Sequence, residues 1–600
     1  MINVTKDCTF ILSTRNYTYS FFRTDEGELK TLYAGKKADN ESLKKTDRNN
    51  SYAEEINLPV IFDGSCRFSY TSHSLSAGIR RMRKYYYPQA VMADTESESL
   101  VIEGEIKEGI KAEIIYTVFP SLDAISKRMI INSSRKEHAS LLVSSSFNIP
   151  ASSFSYIDRN NEKKGSISES QTLAFESQII RMHDDETSYI ILPLYNQSIS
   201  SIEKKERCMS VSASVFKSFE LEGELELPET VLIFSKKGSE YDRIRSFMYN
   251  AMLRGRWKDG MRKLYANTPE GMKTDERTLA LLIKKAKDLS FEGLCLSDYW
   301  YGSREEDCLS YGDWYINTSR FPSGLMENAE RVHKAKLSFS LSLAFLKVSS
   351  DSASKAKRIG SLQDIRDEKT YDSLFSMISA LIENASLEQM ILDIRELDLS
   401  DLTEKARFDY FRALNSFLND LSRKFISLEI VIRADYFSPV YIQSASAVMT
   451  ENTDEIISTF PQAVLKSSSL SSALPLYSED DILSLSNEEC MKIRSINEEY
   501  LDKRALFQFG SLEIIKKDRD ERITAVYNND RTACLVTASS EKEKVHLLLP
   551  SISGERNYTI TSFFSDEKTI KQADEIRRLS ITLSKNEENE AYIIRSIEDN

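Results

Sequence analysis

The feature that most constrains this chain is that its hydrophobic period changes twice along its length. Up to about residue 240 the sequence runs in short alternating segments, such as Tyr17-Thr18-Tyr19-Ser20-Phe21-Phe22 and Glu113-Ile114-Ile115-Tyr116-Thr117-Val118-Phe119, broken by Asp, Asn, Ser and Gly turns. Between Ser239 and Trp257 the period becomes helical, with Ile244, Phe247, Met248 and Ala251 on one stripe. From near Lys263 strands and helices alternate as far as Asp454. After Phe507 period-two runs return at Ile523/Ala525/Tyr527, Tyr558/Ile560 and Leu579/Ile581/Leu583. A chain of 600 residues is too long for one core. The pattern predicts an N-terminal β-sandwich over 1–238, a helical linker over 239–262, a (β/α)8-type barrel over 263–505 and a C-terminal antiparallel β domain over 506–600.

Within the central region, a helix predicted over Thr274 to Ser290 places Leu279, Leu282, Ile283, Ala286 and Leu289 on one face, with Asp275 and Glu276 where the helix dipole favours acids. Strands follow at Leu294-Cys295-Leu296, Leu337 to Phe345, Met390 to Ile394, Ser427 to Arg433 and Ala447 to Glu451, and a helix over Ala406 to Phe425 buries Leu414, Leu418 and Leu421. The repeat then runs short. Only residues 455–481 precede a helix start at Ser486, which has Glu489 three residues on as a capping box. One strand-helix-strand unit takes about 30 residues or more, so the barrel is expected to be trimmed or irregular at its last two strands.

A formal charge of -13 argues against nucleic acid or an anionic membrane as partner and leaves a neutral ligand such as a sugar open. The N-terminus lacks a basic segment followed by an apolar one, and no run of about 18 apolar residues occurs, so a cytoplasmic location is expected. The seven cysteines are scattered and the five histidines lie far apart, without the spacing of a metal site. There is no phosphate-binding glycine loop. Neither a metal nor a cofactor is expected.

The stretch from Phe291 to Leu325 is the most informative. A strand breaks at once into Ser297-Asp298-Tyr299-Trp300-Tyr301-Gly302, and Gly312-Asp313-Trp314-Tyr315-Ile316-Asn317 and Arg320-Phe321-Pro322-Ser323-Gly324-Leu325 follow. Active sites of strand-helix barrels are built at such strand ends. This stretch resembles bacterial α-galactosidases of glycoside hydrolase family 36, whose barrels carry an Asp-Asp-Gly-Trp-Phe-Gly turn, then Gly-Asp-Trp-Phe-x-Asn and Phe-Pro-x-Gly-Leu. Asp25-Glu26-Gly27-Glu28-Leu29 and Leu32-Tyr33-Ala34-Gly35-Lys36 are similar to landmarks of that family's N-terminal domain.

The resemblance implies a retaining glycosidase, and hence two carboxyl groups about 5 to 5.5 Å apart at two strand ends. Asp393, in Met390-Ile391-Leu392-Asp393-Ile394, matches the nucleophile of the family's Lys-Trp-Asp-Met-Asn-Arg. Glu451, in Thr450-Glu451-Asn452-Thr453-Asp454, matches the acid/base of Ser-Asp-Asn-Thr-Asp, one methylene longer. Acids at strand ends also cap the next helix. That reading is weaker than the nucleophile for Asp393 and equal to the acid/base for Glu451. Asp298, Trp300 and Trp314 are the expected substrate contacts, although either tryptophan could instead pack the loop.

Other positions depart from the family. Ile391 stands where a lysine donor is usual, and Phe339-Ser340-Leu341-Ser342-Leu343-Ala344-Phe345 replaces Phe-Gly-Leu-Trp-Phe-Glu-Pro-Glu. Ser297 takes the first place of the Asp-Asp pair, and Arg433-Ala434-Asp435-Tyr436-Phe437-Ser438 replaces a Cys-Ala-Ser-Gly-Gly-Gly loop. The resulting expectation is a divergent α-galactosidase-like hydrolase of α-linked sugars with altered or reduced activity on plain α-galactosides. The alternative is a non-catalytic carbohydrate-binding or assembly homologue. Family precedent implies a homo-oligomer.

Overall fold

A computed structural model describes residues 1–600 except 47, 49–50, 56–66, 83–95, 140–141, 159–160, 166–171, 177–178, 196–198, 217–218, 254, 298, 303–309, 351, 451–453, 469–473, 518–520, 529, 541–543, 547–548, 550–551, 553–556, 563–567, 578–579, 583–589 and 598–600. Among the described residues no helix is long and apolar enough to cross a membrane.

The chain divides into two compact units. The first comprises residues 1–254 with 399–420 and 436–444, and holds antiparallel sheets of four, ten and four strands. Alternation builds them directly: Leu100 and Ile102 of the strand Glu98–Lys107 are wholly buried, and its neighbour Ile110–Phe119 buries Ile114, Tyr116 and Val118. A polar cluster is built into this core. Glu55, 0% exposed, accepts from Tyr19 Oη at 2.6 Å, Tyr116 Oη at 2.8 Å, Lys127 Nζ at 2.9 Å and the Thr31 hydroxyl. The stripe after Ser239 forms a helix over Glu240–Phe247, tightly followed by a π turn over Met248–Met252.

The second unit comprises 255–398, 421–435 and 445–600. Its centre is a parallel sheet in the order β1 (Tyr265–Asn267), β2 (Gly293–Leu296), β3 (Ser338–Leu343), β4 (Gln389–Asp393), β5 (Glu429–Arg433) and β6 (Ala447–Met449). Between the first four strands run α1 (Glu276–Asp288), α2 (Gly324–Lys334) and α3 (Glu368–Ala385). Asp275 caps α1 by accepting from the Thr278 backbone N–H, as Asp367 caps α3 through Thr370. Beyond β6 the described residues form isolated parallel bridges: Val448 with Leu465, Ser467 with Leu476, and Ser478 with Ala266 of β1. The Ser486/Glu489 capping box opens a helix over Asn487–Phe509. A six-stranded antiparallel sheet follows, beginning at Ser511–Lys517.

Candidate active site

Parallel pairing aligns Ile391 of β4 with Val431 of β5 and, one pleat on, Asp393 with Arg433. Ile391 and Val431 pack with Cys295, Ala447 and Met449 in one apolar cluster, against which Tyr477 also lies. Because side chains alternate along a strand, Asp393 and Arg433 extend that same face at the C-terminal strand ends. The polar groups gather there.

Asp393 is held by Arg395, two residues further along the chain. Its Oδ1 accepts from the Arg395 backbone N–H at 2.9 Å and from Nε at 3.1 Å, and its Oδ2 accepts from Nε at 3.1 Å and Nη2 at 2.6 Å. Arg395 Nη2 also donates to Glu270 Oε1 at 2.6 Å, and Arg433 Nη1 donates to that same oxygen at 2.6 Å. Arg433 pairs further with Glu479. Three carboxylates and two guanidinium groups thus form one chain, Asp393–Arg395–Glu270–Arg433–Glu479. Two members are nearly enclosed, Asp393 at 12% and Arg433 at 9% side-chain exposure, whereas the central Glu270 is open at 53%. The hydrogen bond to Asp393 is the foremost reason that the Arg395 pKa is raised.

Asp393 Oδ2 and Glu270 Oε1 share one donor atom, so they lie no further apart than twice 2.6 Å. That brings a second carboxylate within about the separation used by retaining pairs, about 5 to 5.5 Å. The turn after Asp393 is tight. Glu396 adopts φ +58°, its N–H donates to Asp435 Oδ2 at 2.9 Å, and its carboxylate pairs with Lys347 at 2.8 Å, which keeps the Glu396 pKa below the usual range.

The aromatic loop is ordered by its own backbone. Tyr301 bridges Ile316, and Gly302, at φ +72°, donates to the Tyr315 carbonyl; a Cβ at Gly302 would meet the Ser310 side chain at 2.1 Å. Trp300 is 0% exposed, and its indole N–H donates to the Ser342 carbonyl at 3.2 Å. Trp314, 6% exposed, meets the Tyr301 ring edge-on at 4.7 Å, and its buried indole nitrogen has no hydrogen-bond partner among the described residues. The Ser297 hydroxyl is committed to the Thr268 carbonyl at 2.5 Å. Asp298 and Glu451 lie outside the described residues.

Sequence reasoning missed Glu270, Arg395, Arg433 and Glu479. Strand phase alone could have marked Arg433, which ends its strand as Asp393 ends the neighbouring one. Glu270 and Glu479 sit in connections beyond the strand ends, where no period operates.

Charged groups gathered at the C-terminal ends of a parallel sheet stand where strand-helix barrels build their active sites. The Melibiase family profile matches residues 224–427. α-Galactosidase Mel36A of Lactobacillus acidophilus is 33% identical over 122 residues, 20% of this chain and 17% of that protein. α-Galactosidase AgaA of Geobacillus stearothermophilus is 31% identical over 118 residues, 19% of this chain and 16% of that protein. The sequence match thus spans about a sixth of these curated relatives. The fold likeness extends much further. The α-galactosidase from Lactobacillus brevis superposes with a TM-score of 0.85 at 18% identity, covering 100% of this chain and 99% of that one. The Geobacillus stearothermophilus AgaA variant solved in complex with raffinose gives 0.84 at 17% identity, covering 98% and 100%. Residues 224–427 thus match the Melibiase family, and the whole chain shares the fold of α-galactosidases of glycoside hydrolase family 36.

Proposed function

We propose that this protein is a retaining glycoside hydrolase for α-linked sugars, with weakened activity on plain α-galactosides. The observation that carries the reading is the position of Asp393, at the C-terminal end of β4 and in phase with the charged residue that ends β5. In this mechanism Asp393 attacks the anomeric carbon while Glu451 protonates the departing oxygen; water then cleaves the glycosyl-enzyme with Glu451 as base. Attack needs a free lone pair on Asp393, so one Arg395 contact is exchanged on substrate binding, and Glu270 gives the displaced guanidinium another acceptor. The bridges at Leu465, Ser467 and Ser478 support a ring of eight strands whose last two are abbreviated. Of the two loop tryptophans, Trp314 is the ring we assign to substrate, since its indole nitrogen has no hydrogen-bond partner among the described residues, whereas that of Trp300 donates to the Ser342 carbonyl.

Weakened galactoside activity follows from Ile391, which sits in the apolar cluster where the family presents a lysine donor. A substrate hydroxyl facing it loses a partner, at about 1 to 3 kcal/mol. A panel of nitrophenyl glycosides tests the proposal. We expect measurable turnover of an α-linked member, with kcat/KM for the α-galactoside below the usual range of about 10⁴ to 10⁸ M⁻¹s⁻¹. Turnover of the galactoside within that range would refute the weakening, and binding without turnover of any member would reduce the protein to a carbohydrate-binding scaffold.

A further inference from the structure

The opposite, N-terminal ends of β1, β4 and β5 border a cavity of about 370 Å³. Its lining includes Tyr265, which opens β1, Glu388, which precedes β4, and Glu429, which opens β5. Such a volume is within the range of small-molecule pockets, about 300 to 1,000 Å³. The apolar part of its wall comes from Trp257, Met261, Phe425 and Ile426. Met261 and Ile426 are 40% and 72% exposed, large apolar side chains left open beside the same cavity.

The charged part of the wall is asymmetric. Of the two lining acids, buried Glu429 pairs with Lys466 at 2.8 Å, while Glu388 accepts through Oε2 from the Phe339 backbone N–H at 2.9 Å and faces His333 at 3.3 Å, so that two cations, Arg256 and Lys263, stand against one acid. Among the lining cations, Lys424 pairs with Glu383. Arg256 and Lys263 have no carboxylate partner among the described residues. The Arg256 guanidinium rests over the Trp257 ring at 5.2 Å, and the Trp257 indole donates to the Leu428 carbonyl at 3.0 Å, which fixes the ring that carries the cation. Lys263 donates to the Ser338 hydroxyl at 2.6 Å, which leaves its charge uncompensated.

The geometry points to a second ligand site here, for a small anion that carries an apolar ring: the ring against Met261, Phe425 and Ile426, and the carboxylate, sulfonate or phosphate head on Arg256 and Lys263. The proposal is independent of the glycosidase reading. It is tested by titrating the full chain with 8-anilinonaphthalene-1-sulfonate and following fluorescence, with 1-naphthoate and the uncharged 1-naphthol as competitors. One saturable site is expected, weakened by salt through screening of an exposed ionic contact. Naphthoate should displace the probe at least tenfold more effectively than naphthol, and the Arg256→Gln/Lys263→Gln pair should weaken probe binding at least tenfold. Equal competition by naphthol, or unchanged binding in the double variant, overturns the proposal. Should the double variant fail to fold by circular dichroism, the exposed Arg256→Gln change decides alone: at least threefold weaker binding supports the site, and unchanged binding overturns it.

Discussion

Two carboxylate-centred clusters in this molecule are built in opposite ways. Glu55 is wholly buried, and its partners are equally buried groups on strands: the phenols of Tyr19 and Tyr116, the Thr31 hydroxyl and the Lys127 ammonium, which also donates to the Glu55 and Ser146 carbonyls. Burial lowers the Lys127 pKa and pushes both tyrosines well above their ordinary range. Every group there has one place to be. The Asp393 network instead has three members more than a third exposed, and two arginines that share one oxygen of Glu270. Removing water makes the first cluster costly to break, whereas partial hydration lets the second exchange partners. The contrast separates a device that fixes a core from one suited to receiving a ligand.

The largest expected effect is on chemistry. Asp393→Asn keeps the shape of the side chain but cannot attack an anomeric carbon, so turnover of any accepted nitrophenyl glycoside should fall by about 10⁴-fold or more while thermal unfolding stays close to wild type. Unchanged turnover would remove Asp393 from the mechanism. Next comes Glu55→Gln, which leaves Lys127 buried without its counter-ion. We expect about 3 to 5 kcal/mol of destabilisation in denaturant unfolding. A loss under about 1 kcal/mol would mean that the two clusters do not differ as argued.

A third carboxylate, Asp275, offers an intermediate case, because it bonds backbone rather than charge. Asp275→Ala should cost about 1 kcal/mol. The bond from the Thr278 N–H lowers the Asp275 pKa below the 3.8 of a free aspartate, so its contribution is full above that pH and is lost as pH falls through the folded value. Asp275→Asn should keep the cap and abolish this part of the acid dependence, which unfolding curves taken between neutral and strongly acidic pH would record. The smallest effect is expected from Glu270→Gln, at about 0 to 1 kcal/mol of stability, as for other exposed ion pairs. A loss as large as that of Glu55→Gln would make the Asp393 network a structural one.

The elements of the central sheet were legible because burial imposes a period. The expected strands Met390 to Ile394 and Ser427 to Arg433 became Gln389–Asp393 and Glu429–Arg433, and the helix expected over Thr274 to Ser290 became Glu276–Asp288. After Asp454 the described residues form single parallel bridges, at Leu465, at Ser467 with Leu476, and at Ser478. Less of the site could be read. Asp393 stood out because it ends an apolar run and matches a family motif, but nothing local linked it to Glu270, which is 123 positions earlier in the sequence.

The sequence by itself determined where strands and helices form, how they are capped and which residues end them, since each depends on neighbours within a turn or a pleat. Charge pairing has no such period. With 79 Lys and Arg against 92 Asp and Glu, composition allows almost any pairing. Only the parallel register decides that Arg433 stands beside Asp393, and only the tertiary fold brings Glu270 and Glu479 to the same guanidinium groups, because an ion pair is selected by distance in space and leaves no mark along the chain.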